Sequence, residues 1–393
     1  MYKNTISPNK ISHGLLVIMS LICCITVANL YYNQPLLGDI ARSFNASSRD
    51  IGLVSTLTQI GYGTGMLFII PLGDIKERRN LILKLLIILS VFLALFSLSP
   101  NITCLIITSF MIGFTTVIPQ LIIPFAAELS NPEERGKILG SVFSGLFAGI
   151  LLARTISGFI GSLWGWKAMY YIASICTIIL FLIVARFLPR SYPKSEKSYT
   201  QTMFSLINLI KNQPVLREAS LNGAMMFGTF SIFWTTLIFF LESPAYHLGS
   251  KSVGLFALLG ISSIIASPIV GRISDKKGAK FIVGISTMLS ILAFIILLIL
   301  GYKLWGIALG LILLDLGTQS AQVGNQTRVQ SLSPEFRNRL NTIFMVSYFL
   351  GGALGSFIGT YSWTVFKWNG VCISGLVFLT IAILHHIFTI RKI

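Results

Sequence analysis

Long uninterrupted apolar segments constrain this chain more than any other feature. Segments such as 81–98, 104–127, 170–188 and 281–300 hold almost no charged residue. Each is about as long as a helix that crosses the ~30 Å hydrocarbon core of a bilayer, which takes roughly 20 residues. Because lipid cannot hydrogen-bond the backbone, such a segment must be a helix or a strand of a closed barrel. Barrel strands alternate polar and apolar residues and these segments do not, so we predict an all-α membrane protein.

The supply of charge excludes a soluble protein. Only 11% of the 393 residues are charged, against roughly 25% in soluble domains. The net charge of +17 would suggest nucleic-acid binding in a soluble chain. In a membrane protein it follows from the excess of Lys and Arg in cytoplasmic loops. We therefore predict a lipid bilayer as the surrounding partner and no nucleic acid.

The apolar segments divide into twelve predicted transmembrane helices, separated by breaks that contain charge, Gly or Pro. Their approximate bounds are 12–36, 51–72, 81–98, 102–127, 138–162, 167–188, 214–241, 252–272, 280–300, 303–328, 340–363 and 368–389. An even number of spans puts both termini on one side. With that assignment 23 Lys and Arg lie on the side of the termini and six on the other, which predicts cytoplasmic termini in a multi-pass protein of the cell membrane.

A constant offset of 202 residues relates the two halves of the chain. Pro132 and Arg135 correspond to Pro334 and Arg337, and the same offset relates Gly52 to Gly254, Leu53 to Leu255, Gln120 to Gln322, Gly149 to Gly351 and Trp166 to Trp368. Generic membrane composition does not explain charged and aromatic residues in register. We predict two pseudo-symmetric six-helix bundles, 1–188 and 214–393, joined by a cytoplasmic linker at 189–213 with a short amphipathic segment. Parallel repeats of this kind bind substrate near the midplane, between the halves.

Two predicted cytoplasmic loops carry a shared charge pattern. The loop after span eight reads Gly271-Arg-Ile-Ser-Asp275-Lys276-Lys-Gly278-Ala-Lys280, and the loop after span two reads Gly73-Asp74-Ile-Lys-Glu77-Arg78-Arg79. The first resembles the loop motif G-x-x-x-D-R/K-x-G-R/K-R/K of the major facilitator superfamily, and the second keeps the acid and the terminal basic pair. The resemblance implies this family's twelve-helix fold, and charge contacts of Asp74, Arg78, Arg79, Asp275 and Lys276 that stabilise the outward-open state. The general excess of Lys and Arg in cytoplasmic loops explains the basic residues of these two loops, but it does not explain the acid that both loops share.

Some positions depart from patterns common in this family. Ile70 and Glu77 replace the two glycines of the loop motif in the first half. Ser109 occupies the position in span four at which many proton-driven members have Arg. Span five of the antiporter branch often reads G-P-x-x-G-G, and here Arg154 stands where the Pro would be. These departures weaken a direct transfer of the antiport mechanism.

Arg154 in helix five and Asp315 in helix ten are the only arginine and the only acidic residue deep inside the predicted spans. A charge at the bilayer centre costs at least about 2.5–3.5 kcal/mol on insertion scales, so intramembrane ionisable residues are candidates for function. In the family fold these helices face each other across the two halves, so the resemblance allows an Arg154–Asp315 pair that acts as a proton-coupling and gating switch. A permanent structural ion pair, and two residues that never meet, are the alternatives.

Polar and aromatic residues in four helices are candidates for a substrate cavity. Asp315 begins a polar stripe on one face of helix ten, with Gln319, Gln322 and Gln326 at +4, +7 and +11. Because unpaired amides are costly in lipid, we expect this face to line a water-filled cavity. The resemblance places helices one, four, seven and ten around the cavity, and implies substrate contacts by Asn29, Tyr32, Gln34, Gln120, Asn222, Phe230, Trp234, Gln319, Gln322 and Gln326. Interhelical hydrogen bonds, and plain packing for the two aromatic residues of helix seven, are the alternatives.

These features favour secondary transport over other functions. The chain has no G-x-x-x-x-G-K-[ST] nucleotide motif and no cluster of His, Cys or acids within the spans, so we predict neither a pump, an enzyme, a metal site nor a cofactor. The scarcity of cavity charge argues against highly charged substrates, which need several basic clamps. We predict a monomer that exports a small neutral or weakly charged compound against protons. Proton-linked uptake and equilibrative uniport are the alternatives.

Overall fold

The computed structural model describes residues 12–390, apart from 74, 132, 192–198, 264–269, 271, 274, 275, 334 and 335. Helices dominate the described part, which contains no strand. The helices are α1 (His13–Ala28), α2 (Asn33–Ser43), α3 (Ser48–Gly73), α4 (Arg78–Ser97), α5 (Ile102–Thr115), α6 (Ile118–Leu129), α7 (Arg135–Trp164), α8 (Trp166–Phe187), α9 (Tyr199–Asn212), α10 (Pro214–Leu241), α11 (Ser250–Ala257), α12 (Ala279–Leu300), α13 (Leu304–Gln330) and α14 (Arg337–Ile390). The all-α prediction is confirmed.

Within the described residues, ten helical stretches are long and apolar enough to cross a membrane. One of them, Arg337–Phe388, has 52 residues, which is more than twice the length of a usual span. It is broken at Lys367, where the backbone leaves the helical region at φ 52°. A shorter apolar helix covers Ser250–Ser263. A multi-pass membrane protein is therefore confirmed, while the count of twelve spans and the cytoplasmic termini stay predictions.

Two predicted spans are interrupted helices. The first span consists of α1 and α2, and turns occupy residues 29–32 between them. The fourth consists of α5 and α6, which are separated at Thr116 and Val117 just before Pro119. A proline fits the first turn of a helix, where its missing N–H is not needed, but does not fit a helix interior. Interrupted helices expose backbone groups that line cavities in transporters.

Glycines at equivalent positions of the repeat bring helices into close contact. A Cβ on Gly149 of α7 would collide with the carbonyl oxygen of Cys24 in α1, and one on Gly351 of α14 would collide with that of Ala224 in α10. Small residues let membrane helices approach closely without a hydrophobic driving force. The same device thus joins α7 to α1 in the first half and α14 to α10 in the second.

Hydrogen bonds cross between the halves of the chain. The hydroxyl of Thr155 in α7 donates to the carbonyl of Gly254 in α11 at 3.0 Å, and Gln59 of α3 donates to Ser356 of α14 at 3.1 Å. Helix α9 belongs to the predicted linker and presents Phe204 at its surface. The division into bundles 1–188 and 214–393 remains a prediction.

Candidate functional site

A cavity of about 940 Å³ lies among α6, α7, α13 and α14. At one end it reaches Arg135 and Arg337, which are exposed at the first residues of α7 and α14. We call this the open end. The cavity extends inward to Arg154, Phe230 and Asp315. Asp315 precedes the last residue of α13 by 15 residues, or roughly 22 Å of helix, so the cavity extends deep into the membrane region.

Arg154 is fixed by side chains from three other segments. It is 4% exposed, and its Nε donates a 2.6 Å hydrogen bond to Oε1 of Gln34 in α2. Its guanidinium carbon lies 4.2 Å from the ring centre of Trp234 and 4.6 Å from that of Tyr31. Arg stacks on aromatic faces more readily than Lys because its planar cation is weakly hydrated. Its Nη2 is buried and has no hydrogen-bond partner among the described residues.

Asp315 lies at the same depth of the cavity, against the helical turn Leu258–Gly260 that directly follows α11. It is 6% exposed, and a Cβ on Gly260 would lie 2.8 Å from its Oδ2. The side chains of Arg154 and Trp234 are both close enough to interact with the Asp315 carboxylate. No salt bridge or hydrogen bond joins Arg154 to Asp315 in the part of the chain that is described, and Asp315 Oδ1 is left without a partner. The structure thus brings the two charges to one cavity but does not pair them directly.

The glutamine stripe of α13 lines the cavity toward its open end. Gln319, Gln322 and Gln326 all contact the cavity, as does Gln120 of α6. The hydroxyl of Tyr348 donates to Gln322 at 3.2 Å, and Gln326 donates to Asn341 at 2.8 Å. Gln322 and Gln326 therefore face the cavity and are also held by hydrogen bonds to neighbouring side chains.

Several predicted contact residues lie behind the cavity surface. Asn29 donates to the carbonyls of residues 25 and 26 at the end of α1, and Tyr32 lies near Tyr170 of α8. Asn222 accepts a 2.7 Å hydrogen bond from Asn325, which joins α10 to α13. Gln34 and Trp234 contact Arg154 instead of the open cavity. Phe230 lines the cavity, and its ring centre is 5.3 Å from the Arg154 guanidinium.

An ion pair joins the two halves of the chain at the end of the molecule opposite the open end. Arg42, near the end of α2, lies 2.8 Å from Glu242, which follows α10. Arg42 also contacts Asp39 one turn earlier in α2. Near them, Leu36, Leu37 and Ile40 of α2 are fully buried. We call this region the closed end.

The predicted loop motif is described only in part. Asp74 and Asp275 lie outside the described residues. Arg78 donates to the carbonyl of Gly73 at 3.0 Å and forms a 2.6 Å ion pair with Glu128 of α6. Arg79 donates to the carbonyl of Ala185 in α8. In the second loop Lys276 is exposed, and Gly278 has φ +89°, a conformation that favours glycine.

Sequence reasoning missed a buried charge cluster in the second half. Glu218 of α10 forms an ion pair with Arg328 of α13, and its other oxygen lies 3.1 Å from Nδ1 of His386 in α14. These residues are far apart in the chain, so no local periodicity could indicate them. The available signal was a buried-helix position for an acid, next to Arg217 near the start of a helix that is mostly apolar.

Comparison with known proteins connects this geometry to one family. The family model described as Major Facilitator Superfamily matches residues 19–356 and 255–392. The chain is 34% identical over 369 residues to "Uncharacterized transporter YgaY" of Escherichia coli O157:H7, a match that covers 94% of both chains. It is 23% identical over 326 residues to a "Probable sugar efflux transporter" of Helicobacter pylori, covering 83% of this chain and 82% of the relative. A crystal structure of a bacterial homolog of the human lysosomal transporter Spinster, inward-facing and unoccupied, has a TM-score of 0.76 at 17% identity and covers 96% of each chain.

Proposed function

Because this chain belongs to the major facilitator superfamily of secondary transporters, we propose that it exports a small organic compound of low net charge in exchange for protons. Two six-helix bundles with cytoplasmic termini pivot about the cavity, as in parallel-repeat transporters. The observation that carries the proposal is the deep cavity with Arg154 and Asp315 at its inner end. The relative named as a sugar efflux transporter is in accord with export of a small compound.

The state of Asp315 supplies the coupling. A carboxylate that is nine-tenths buried without a salt bridge is costly, and it becomes more so when the cavity closes and water leaves. Closure is therefore easiest when Asp315 carries a proton or when a donor group of the substrate neutralises it. The bundles can therefore rock when Asp315 holds either a proton or the substrate, but not when it holds neither. As a result, the substrate crosses the membrane in one direction only if protons cross in the other.

The ends of the molecule fit one conformation of this cycle. The cavity opens beside Arg135 and Arg337, on the side that the Lys and Arg distribution assigns to the cytoplasm. The Arg42–Glu242 ion pair at the closed end then lies on the outer side. An inward-open state of this kind loads its cargo from the cytoplasm, as export requires.

The proposal is tested with purified protein in proteoliposomes, using labelled amino acids, nucleosides and sugars as probes. With an acidic lumen and an alkaline exterior, antiport draws a transported probe inward as protons leave. Symport requires the reverse gradient, and uniport responds to neither. Accumulation only with the acidic lumen is the expected result. Accumulation only with the reverse gradient, or equilibration that ignores both, would refute proton antiport.

A further inference from the structure

We propose that the transported compound is a zwitterion with an apolar body, whose anionic group binds Arg154 and whose ammonium group binds Asp315. This inference rests on the proposed transport function and specifies its substrate class. It is carried by two opposite charges that contact one cavity, are each more than nine-tenths buried, and are kept from pairing with each other.

Arg154 is held in a position that leaves part of its guanidinium free. The hydrogen bond from Nε to Gln34 and the stacking on Tyr31 and Trp234 fix the plane of the group. Opposite charges in a poorly solvated site attract strongly, so an unrestrained arginine would move onto the nearby carboxylate. Instead its Nη2 has no partner within the described chain. A fixed guanidinium with a free N–H suits a carboxylate or a similar anion.

Asp315 has an unpaired acceptor, as Arg154 has an unpaired donor. Its Oδ1 is buried and has no hydrogen-bond partner within the described chain, and Nε1 of the nearby Trp234 is likewise buried and unpaired. Gly260 leaves no room for a side chain beside Oδ2, so the carboxylate packs directly on the backbone there. A carboxylate accepts several hydrogen bonds, and an ammonium group offers three donors and a compensating charge. The Asp315 carboxylate therefore lacks a cationic partner, which a substrate ammonium group would supply.

A compound with one charge would satisfy only one side. An anion on Arg154 leaves Asp315 buried and unpaired, and a cation on Asp315 leaves Arg154 in the same condition. Sites that hold unpaired polar groups discriminate strongly against ligands that fail to meet them. A zwitterion meets both and has no net charge, in keeping with the few charges around the inner cavity.

The remainder of the cavity favours an apolar body between or beside the two charged groups. Phe143, Phe147, Leu146 and Ile150 of α7 and Met345 of α14 line it. Apolar ligand surface that leaves water for such a lining gains affinity in proportion to its area.

The test measures binding without any gradient, in wild-type protein reconstituted in nanodiscs. The probes are phenylalanine and glycyl-phenylalanine, which place the two charges at different separations. Each is used in four forms: free zwitterion, amide (cation only), N-acetyl acid (anion only) and N-acetyl amide (neutral). In at least one series we expect the zwitterion to bind about tenfold or more tightly than either singly charged form, the value of one charge-assisted hydrogen bond.

Two variants assign the groups. Arg154→Gln should weaken zwitterion and anion binding while leaving the cation form unchanged, and Asp315→Asn should weaken zwitterion and cation binding while leaving the anion form unchanged. Arg186→Gln, an exposed arginine near the end of α8, and Asp50→Asn, an exposed carboxylate of α3, lie outside the cavity and are matched controls that should alter none of these affinities.

The outcomes separate this inference from the transport function. If neither zwitterion binds more tightly than its singly charged forms, or if both variants weaken all four forms alike, the zwitterion is refuted, whatever the proteoliposome test shows. If the crossed pattern appears but the pH gradient drives no flux, the substrate class stands and proton antiport fails.

Discussion

The ion pair at the closed end gives a prediction about conformational balance. Glu242→Gln removes the 2.8 Å contact with Arg42 that joins α2 to the end of α10, while Arg42 keeps Asp39 in its own helix. The Arg42 side chain is 59% exposed, so the pair falls in the surface class, worth at most about 1 kcal/mol. Release of repulsion from Asp39 offsets part of the loss. A net change of about 0.5–1 kcal/mol shifts the ratio of the two states about two- to fivefold.

The shift can be measured by electron-spin distances across the closed end. Labels at Ser47→Cys and Lys251→Cys, in a background without the native cysteines, lie on exposed residues of the two halves. Glu242→Gln should increase the population of long distances about two- to fivefold. Arg42→Gln should act similarly, and the double variant should add little, because both remove the same contact. Unchanged populations, or a shift toward short distances, would show that the pair does not hold this end closed.

Three further substitutions test the packing of the site. Gln34→Leu leaves Nε of Arg154 buried without its acceptor, and should lower the stability of the solubilised protein by about 1.5–3 kcal/mol in thermal unfolding. Gly149→Ala should lower the unfolding temperature because its methyl group meets α1, whereas Gly136→Ala, with open space around it, should not; equal effects would contradict the close-approach argument. Glu218→Gln should cost about 3 kcal/mol because it leaves its buried arginine partner unpaired, and a neutral result in the same assay would contradict this.

The apolar segments were sufficient to predict the helical class, but not the interruptions of the helices. The sequence predicts the first span as one segment because residues 29–32 contain no charge, Gly or Pro. The break becomes visible only in three dimensions, where Tyr31 packs on Arg154 and Asn29 completes the end of α1. Pro119 was a local signal for the break in the fourth span that hydropathy alone does not use.

The candidate site shows the same division between local and distant information. Helical periodicity put Gln319, Gln322 and Gln326 on one face, and the structure has all three at the cavity. Periodicity could not indicate which partners hold Arg154, because Gln34 and Trp234 come from other helices and their contacts depend on tertiary packing. For the same reason the sequence left the relation of Arg154 to Asp315 open, and the structure has them near each other without a direct bond.

Exchange at Asp315 is the central claim, and one comparison in proteoliposomes tests it most directly. Asp315→Asn keeps the size of the side chain and an oxygen acceptor but cannot take up or release a proton. At saturating concentration of a transported probe, the variant should lose accumulation driven by a pH gradient and keep part of the counterflow exchange of labelled for unlabelled probe. Equal loss of both activities, or accumulation at the wild-type level, would contradict the claim that this carboxylate couples transport to protons.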